Sequence, residues 1–138
     1  MQSASSSARK AFFSWADEVL SRRIPDSTVA FHFNLYEGRN SVRVQLVGTD
    51  SFVPGSDPER DYWPGTTTFS TGEELFDIPY AVAGSGWREW LQTSMDFARA
   101  YIANGSRSSI LKSTRGVGMG FVDGDMHVLW QQSPNQAL

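Results

Sequence analysis

Asp123, Asp125 and His127 stand two apart in the stretch "FVDGDMHVLW", bringing carboxylate oxygens and an imidazole into one short segment. These are donors for a divalent cation, and His32, from a separate β-prone run, is a fourth candidate. Spacing of two sets Asp125 and His127 on one side of a strand, while Asp123 lies across a turn from them. Neither an HExxH helix nor a second carboxylate cluster supports a metal centre. The dipeptide Asp123-Gly124 between β-prone runs is, by itself, a tight-hairpin signal. A metal-dependent enzyme using Asp123, Asp125 and His127 is therefore kept as an alternative, and no metal or other cofactor is expected.

Just upstream, "GVGMG" places Gly116, Gly118 and Gly120 at alternate positions. A phosphate-cradling loop needs glycines that open a helix, so that backbone N–H groups converge on the anion. Here Phe121, Val122 and a turn follow. Glycine on one face of a strand instead marks a helix, a ring or another chain lying close against the sheet.

Other catalytic arrangements fail on residue type or spacing. Asp57, Glu59 and Asp61 match the odd positions of a calcium-binding loop, but Tyr62 and Thr68 occupy its glycine and terminal glutamate positions. There is no cysteine, which removes thiol nucleophiles, thiolate metal sites and disulfides and suits a reducing cytoplasm. No G-x-S-x-G elbow is present. Glu73 and Glu74 are adjacent, so their carboxylates diverge rather than work as an acid–base pair. The chain reads as a non-enzyme.

The charge distribution points toward binding. From Asp50 to Asp77 seven acids face one base, Arg60, for a local net of −6 within a chain of −3. That balance argues against nucleic acid and favours a protein partner with a basic surface. Tyr62 and Trp63 lie inside this acidic, proline-rich loop, where aromatics have less reason to be buried; they are suited to a contact hot spot, and Trp63 is equally suited to fold back over the sheet edge and anchor the loop. The expected binding set is Asp57, Glu59, Asp61, Tyr62, Trp63, Glu73 and Glu74. In this reading the carboxylates steer encounter and the two aromatics hold the complex. With no long apolar run, no membrane association is expected.

The elements that would carry these residues follow from periodicity. At 138 residues with 40% hydrophobic composition, one domain is expected over 1–138, with 1–7 frayed. An amphipathic helix over roughly Ser7 to Arg23 has Phe12, Ala16 and Val19 on one face and stops before Pro25. Phe31, Phe33 and Leu35, then Val42, Val44 and Leu46, alternate with polar residues as an antiparallel hairpin. "TTTFS" is a third strand. From Trp87 the helical period returns, with Trp87, Leu91, Met95, Ala98 and Ile102 as a stripe and Trp90, Phe97 and Tyr101 beside it as core. Ser85 is the expected N-cap and Gly105 the expected terminator. Two strands around Asp123-Gly124 end the chain. The order α-β-β-β-α-β-β predicts an α+β fold, a largely antiparallel sheet with helices on one face.

"VGMGFVDGDMHVLW", with "FNLYEGRNSVRVQLVGTDSF" and "DYW", resembles small bacterial immunity proteins of polymorphic toxin systems. The resemblance implies a cytoplasmic, catalytically inert protein that binds and neutralises a cognate toxin or effector. It assigns no functional residues beyond the hairpin. The element order is also similar to that of type III secretion chaperones, which dimerise and hold an effector segment. A homodimer stays open on that count, although the chain after Trp130 carries Pro134 and has no closing helix. The expected function is thus an immunity or antitoxin-like inhibitor, with the chaperone and the metal enzyme as alternatives.

Overall fold

Ser3 starts the first helix. Its Oγ accepts the Ser6 N–H at 3.0 Å, satisfying one of the free donors of the opening turn. Helix α1 spans Ala4–Leu20 in this computed structural model, which describes residues 3–52 and 66–132. Ala4 to Ser7, expected to fray, form its first turn because the cap precedes them. Its C-terminal end comes earlier than periodicity implied. Phe12, Ala16, Val19 and Leu20 are the buried residues of α1, a spacing that holds one face against the sheet.

Strands β1 (Ala30–Glu37) and β2 (Ser41–Thr49) form the expected antiparallel hairpin, with Phe33 opposite Leu46 and Leu35 opposite Val44. Strand β3 (Thr67–Ser70) pairs with the far end of β2, and β4 (Phe76–Pro79) pairs with its near end. Together they make a broken edge. Strand β4 was not legible because Pro79 argues against a strand; at an outer edge a proline forfeits no ladder bond that the sheet needs. A single turn, α2 (Tyr80–Ala83), leads to α3 (Trp87–Asn104) and then a second single turn, α4 (Ser108–Leu111). Strands β5 (Gly116–Phe121) and β6 (His127–Gln131) complete the six-stranded sheet in the order β3-β2-β1-β5-β6, with β4 beside β2.

The fold is α+β with a mostly antiparallel sheet, as the element order predicts, but the central β1–β5 pair is parallel. The helical crossover between β4 and β5 returns the chain in the same direction as β1. Phe31, Phe33, Leu35, Val42, Val44, Leu46, Val117 and Met119 share one buried face with residues of α1 and α3. Phe12 is at the centre, its ring 6.0 Å from Phe33, 5.5 Å from Phe76 and 6.0 Å from Phe97.

The other face carries the alternate side chains. His32 Nδ1 lies 3.0 Å from Asn34 Oδ1; Asn34 Nδ2 and the Tyr36 hydroxyl both donate to Gln45 Oε1 at 3.0 Å; Gln45 Nε2 donates to the Gly72 carbonyl at 2.9 Å. The glycine alternation of β5 serves close approach on this face. A Cβ on Gly116 would fall 2.2 Å from the Phe52 ring, and one on Gly120 would fall 2.3 Å from the Asp125 carbonyl oxygen.

Candidate functional site

Helix α3 begins with a corner that aims its first side chain outward. Gly84 has φ of 121°, a conformation that L side chains rarely adopt, and the chain then enters the helix through an extended Gly86. Glu89 reaches back to accept both the N–H and the hydroxyl of Ser85, at 2.6 and 2.8 Å. Those two bonds hold its carboxyl below the usual range. The N-cap is Gly86, not Ser85 as expected, because Ser85 donates to Glu89 instead of accepting from the helix. Trp90 stacks on Tyr80 with ring centroids 4.5 Å apart, and its indole N–H donates to the Gly84 carbonyl at 2.8 Å. This locks the corner.

Trp87 is left on the outside. It is 57% exposed, where the stripe on α3 had placed it in the core, and Val122, in the β5–β6 hairpin, is the other large apolar side chain similarly exposed among the described residues. The buried face of α3 instead runs through Ser94, Phe97, Ala98, Tyr101 and Ile102. Periodicity identified the helix correctly, but a residue at its first position can overhang the sheet.

The hairpin approaches Trp87 from the opposite side. Gly124 donates its N–H to the Phe121 carbonyl at 2.9 Å, closing a turn over Phe121–Gly124. The connection between β5 and β6 runs from Val122 to Met126, with Gly124 at negative φ. It is therefore not the two-residue Asp-Gly turn that the sequence suggested, since that turn requires positive φ at its glycine. The longer connection leaves Asp123 and Asp125 exposed at the rim and starts β6 at His127.

Between these parts lies a cleft of about 660 Å³, lined by Trp87, Arg88 and Leu91 of α3, Glu37 at the end of β1, Phe121, and the hairpin residues Asp123, Gly124, Asp125 and His127. Its volume is in the range of pockets that hold a small ligand or a few side chains. Leu91, Phe121 and the indole give it apolar walls. Three carboxylates stand at it against the guanidinium of Arg88, which lies over the Trp87 ring at 5.3 Å from its centroid. Such a surface favours a cation with an apolar stem, because the stem can lie on the walls while the charge meets the rim.

The sequence-derived binding set divides. Asp57, Glu59, Asp61, Tyr62 and Trp63 lie outside the described residues. Glu73 and Glu74 are exposed on the connection between β3 and β4, at the opposite edge of the sheet from the cleft. Glu74 accepts from Arg22, which also donates to Glu18 at 2.8 Å, so much of its charge is answered within the chain. Both carboxylates raise the Arg22 guanidinium above its ordinary value.

The alternative metal set also divides. Asp123, Asp125 and His127 do share the cleft, but His32 does not join them. His127 is paired with Met119, on the helix-facing side, whereas His32 is paired with Gly118 on the other side of the sheet. Burial lowers the His32 pKa below 6.5, with its Asn34 bond opposing the shift. Among the described residues, no three His, Cys, Asp or Glu side chains are grouped so as to hold a metal ion. Also among them, no helix is long and apolar enough to cross a membrane.

Comparison with protein-family models, with curated proteins and with solved structures finds no match to this chain.

Proposed function

We propose that the chain is a non-enzymatic protein-binding domain, an immunity or antitoxin-like inhibitor, and that the cleft between α3 and the β5–β6 hairpin grips a basic segment of its toxin or effector partner. The observation that carries this reading is Trp87, a large indole left 57% exposed beside three carboxylates. A single exposed apolar side chain is ordinary on a protein surface, but Trp87 shares its cleft with Leu91 and Phe121, and tryptophan is enriched in binding hot spots. Asp123 and Asp125 serve here as rim charges that steer and orient the incoming cation. The same carboxylates offer little to a metal, given the absence of a third converging ligand among the described residues. The net charge of −3 over the whole chain also favours a basic partner over an acidic one.

The test is a titration of the protein with a blocked arginine-rich peptide and with a glutamate-rich peptide of equal length, followed by amide and indole NMR shifts. The arginine peptide is expected to move Trp87, Asp123, Asp125 and His127, with affinity falling as salt rises. Neutralising Asp123→Asn and Asp125→Asn together should lower its affinity roughly tenfold at low salt and flatten the salt dependence. Equal response to both peptides, or shifts located elsewhere, would remove the cleft from the function.

A further inference from the structure

The two edges of the sheet are built differently. The edge formed by β3 and β4 is interrupted between Ser70 and Phe76, ends in Pro79, and carries Asp77 paired with Arg43 at 2.9 Å. These are devices that discourage another strand from adding on. Strand β6 lacks the gap, the proline and the ion pair, and has only a register shift against β5, between Val117 and Gly118. Its residues His127, Val128, Leu129, Trp130 and Gln131 include no proline, lysine, arginine or carboxylate. It pairs with β5 on one side, and among the described residues no strand pairs with its other side. The Gln132 N–H donates to the Arg115 carbonyl at 2.9 Å, a single bond that continues the ladder beyond the Gly116–Gln131 pair, while the Arg115 N–H donates to the Val29 carbonyl at 2.8 Å. The alternation of an antiparallel ladder then turns the N–H and C=O of Gln131 away from β5.

This edge begins at the cleft, because His127 is both the first residue of β6 and part of the cleft wall. We propose that β6 accepts an extended segment of the partner as an added strand, main chain to main chain, and that this strand delivers a basic side chain into the cleft. The inference rests on the reading of the cleft as a site for a basic protein segment. Backbone hydrogen bonds along β6 supply sequence-independent affinity, and the cleft selects the register in which a cation meets Glu37, Asp123 and Asp125. Charge decides between occupants. A second copy of this chain adding its own β6 would bring no lysine or arginine, so the carboxylates of the cleft would stay unanswered.

The experiment uses two probes, a short blocked peptide alternating arginine with valine and the same peptide N-methylated at alternate amides, which keeps the charges and removes backbone donors. Binding is measured by calorimetry, and hydrogen exchange is followed along β6. The plain probe is expected to bind and to slow exchange at the Gln131 N–H. The methylated probe should bind about tenfold more weakly or worse, the effect of losing a pair of backbone hydrogen bonds. Gln131→Pro removes an outward donor without touching the β5 ladder, and it should cost the plain probe a similar factor. Should that variant fail to fold, the comparison of the two probes on the unaltered protein still decides. Equal binding of both probes, with Trp87→Ala still weakening each, overturns strand addition and leaves the cleft reading standing. No binding of either probe overturns both. Self-association abolished by Gln131→Pro, without binding of the plain probe, assigns the edge to a second copy and overturns the proposal.

Discussion

Replacing Trp87 with alanine separates a binding residue from a packing residue, because the two roles leave opposite signatures. A tryptophan side chain buries roughly 150–250 Å² when enclosed. With 57% of Trp87 outside, about 85–140 Å² is free to be covered by a partner, worth about 2–3.5 kcal/mol at ~25 cal/mol per Å². Full coverage would therefore make Trp87→Ala weaken binding by roughly 30- to 300-fold. Folding has much less at stake. Trp87 is not among the residues packed against the core cluster, and its neighbour across the ring is the guanidinium of Arg88. Its loss is expected to cost less than about 1 kcal/mol of stability, against roughly 3–5 kcal/mol for Phe12→Ala at the centre of the core. The assay is a urea unfolding curve on each variant, beside calorimetric titration with the arginine-rich peptide. A Trp87→Ala protein that binds as before, or one destabilised on the scale of Phe12→Ala, would refute the reasoning.

Arg88→Ala should have the reverse effect on binding. Its guanidinium occupies the Trp87 ring and offsets the rim carboxylates, so its removal is expected to tighten the arginine-rich peptide about two- to fivefold, read by the same titration. His32 predicts a pH dependence of stability. Its folded pKa lies below the ordinary 6.5, so the unfolded chain takes up a proton that the folded chain resists. The resulting stability is fully present above pH 6.5 and falls as pH drops below that value toward the folded pKa. His32→Gln should flatten this part of the curve in urea midpoints measured between about pH 5 and 7. A slope unchanged by the substitution would assign it to other groups.

Several elements could be read directly from residue order, because their cause is local. Alternation of Phe31, Phe33 and Leu35 with His32, Asn34 and Tyr36 requires a strand with one buried face, and that is how β1 lies. The repeat along α3 requires a helix. Alternate glycines on β5 implied a close approach, met at Gly116 by the Phe52 ring. Strand β4 was hidden because the objection to a proline in a strand applies only to interior positions, and edge status is not a local property.

The candidate site was legible only in its parts. Asp123, Asp125 and His127 stood out by type and spacing, while Trp87 was absorbed into the core stripe of its own helix. Periodicity reports which residues share a face; it does not report where the opposing sheet ends. The acidic run drew attention to Glu73 and Glu74, yet Arg22, distant in sequence, answers Glu74.

By itself, then, the sequence determined the two long helices, the buried faces of β1 and β2, the absence of thiol chemistry and the acidic character of the chain. Only tertiary structure decided that β1 and β5 run parallel, that His32 and His127 lie on opposite sides of the sheet, and that Trp87 meets the hairpin carboxylates across a cleft. The physical reason is range. Propensity, capping and alternation act over a few residues, whereas the meeting of Glu37, Trp87 and Asp123 depends on a helical crossover that brings distant segments to one end of the sheet.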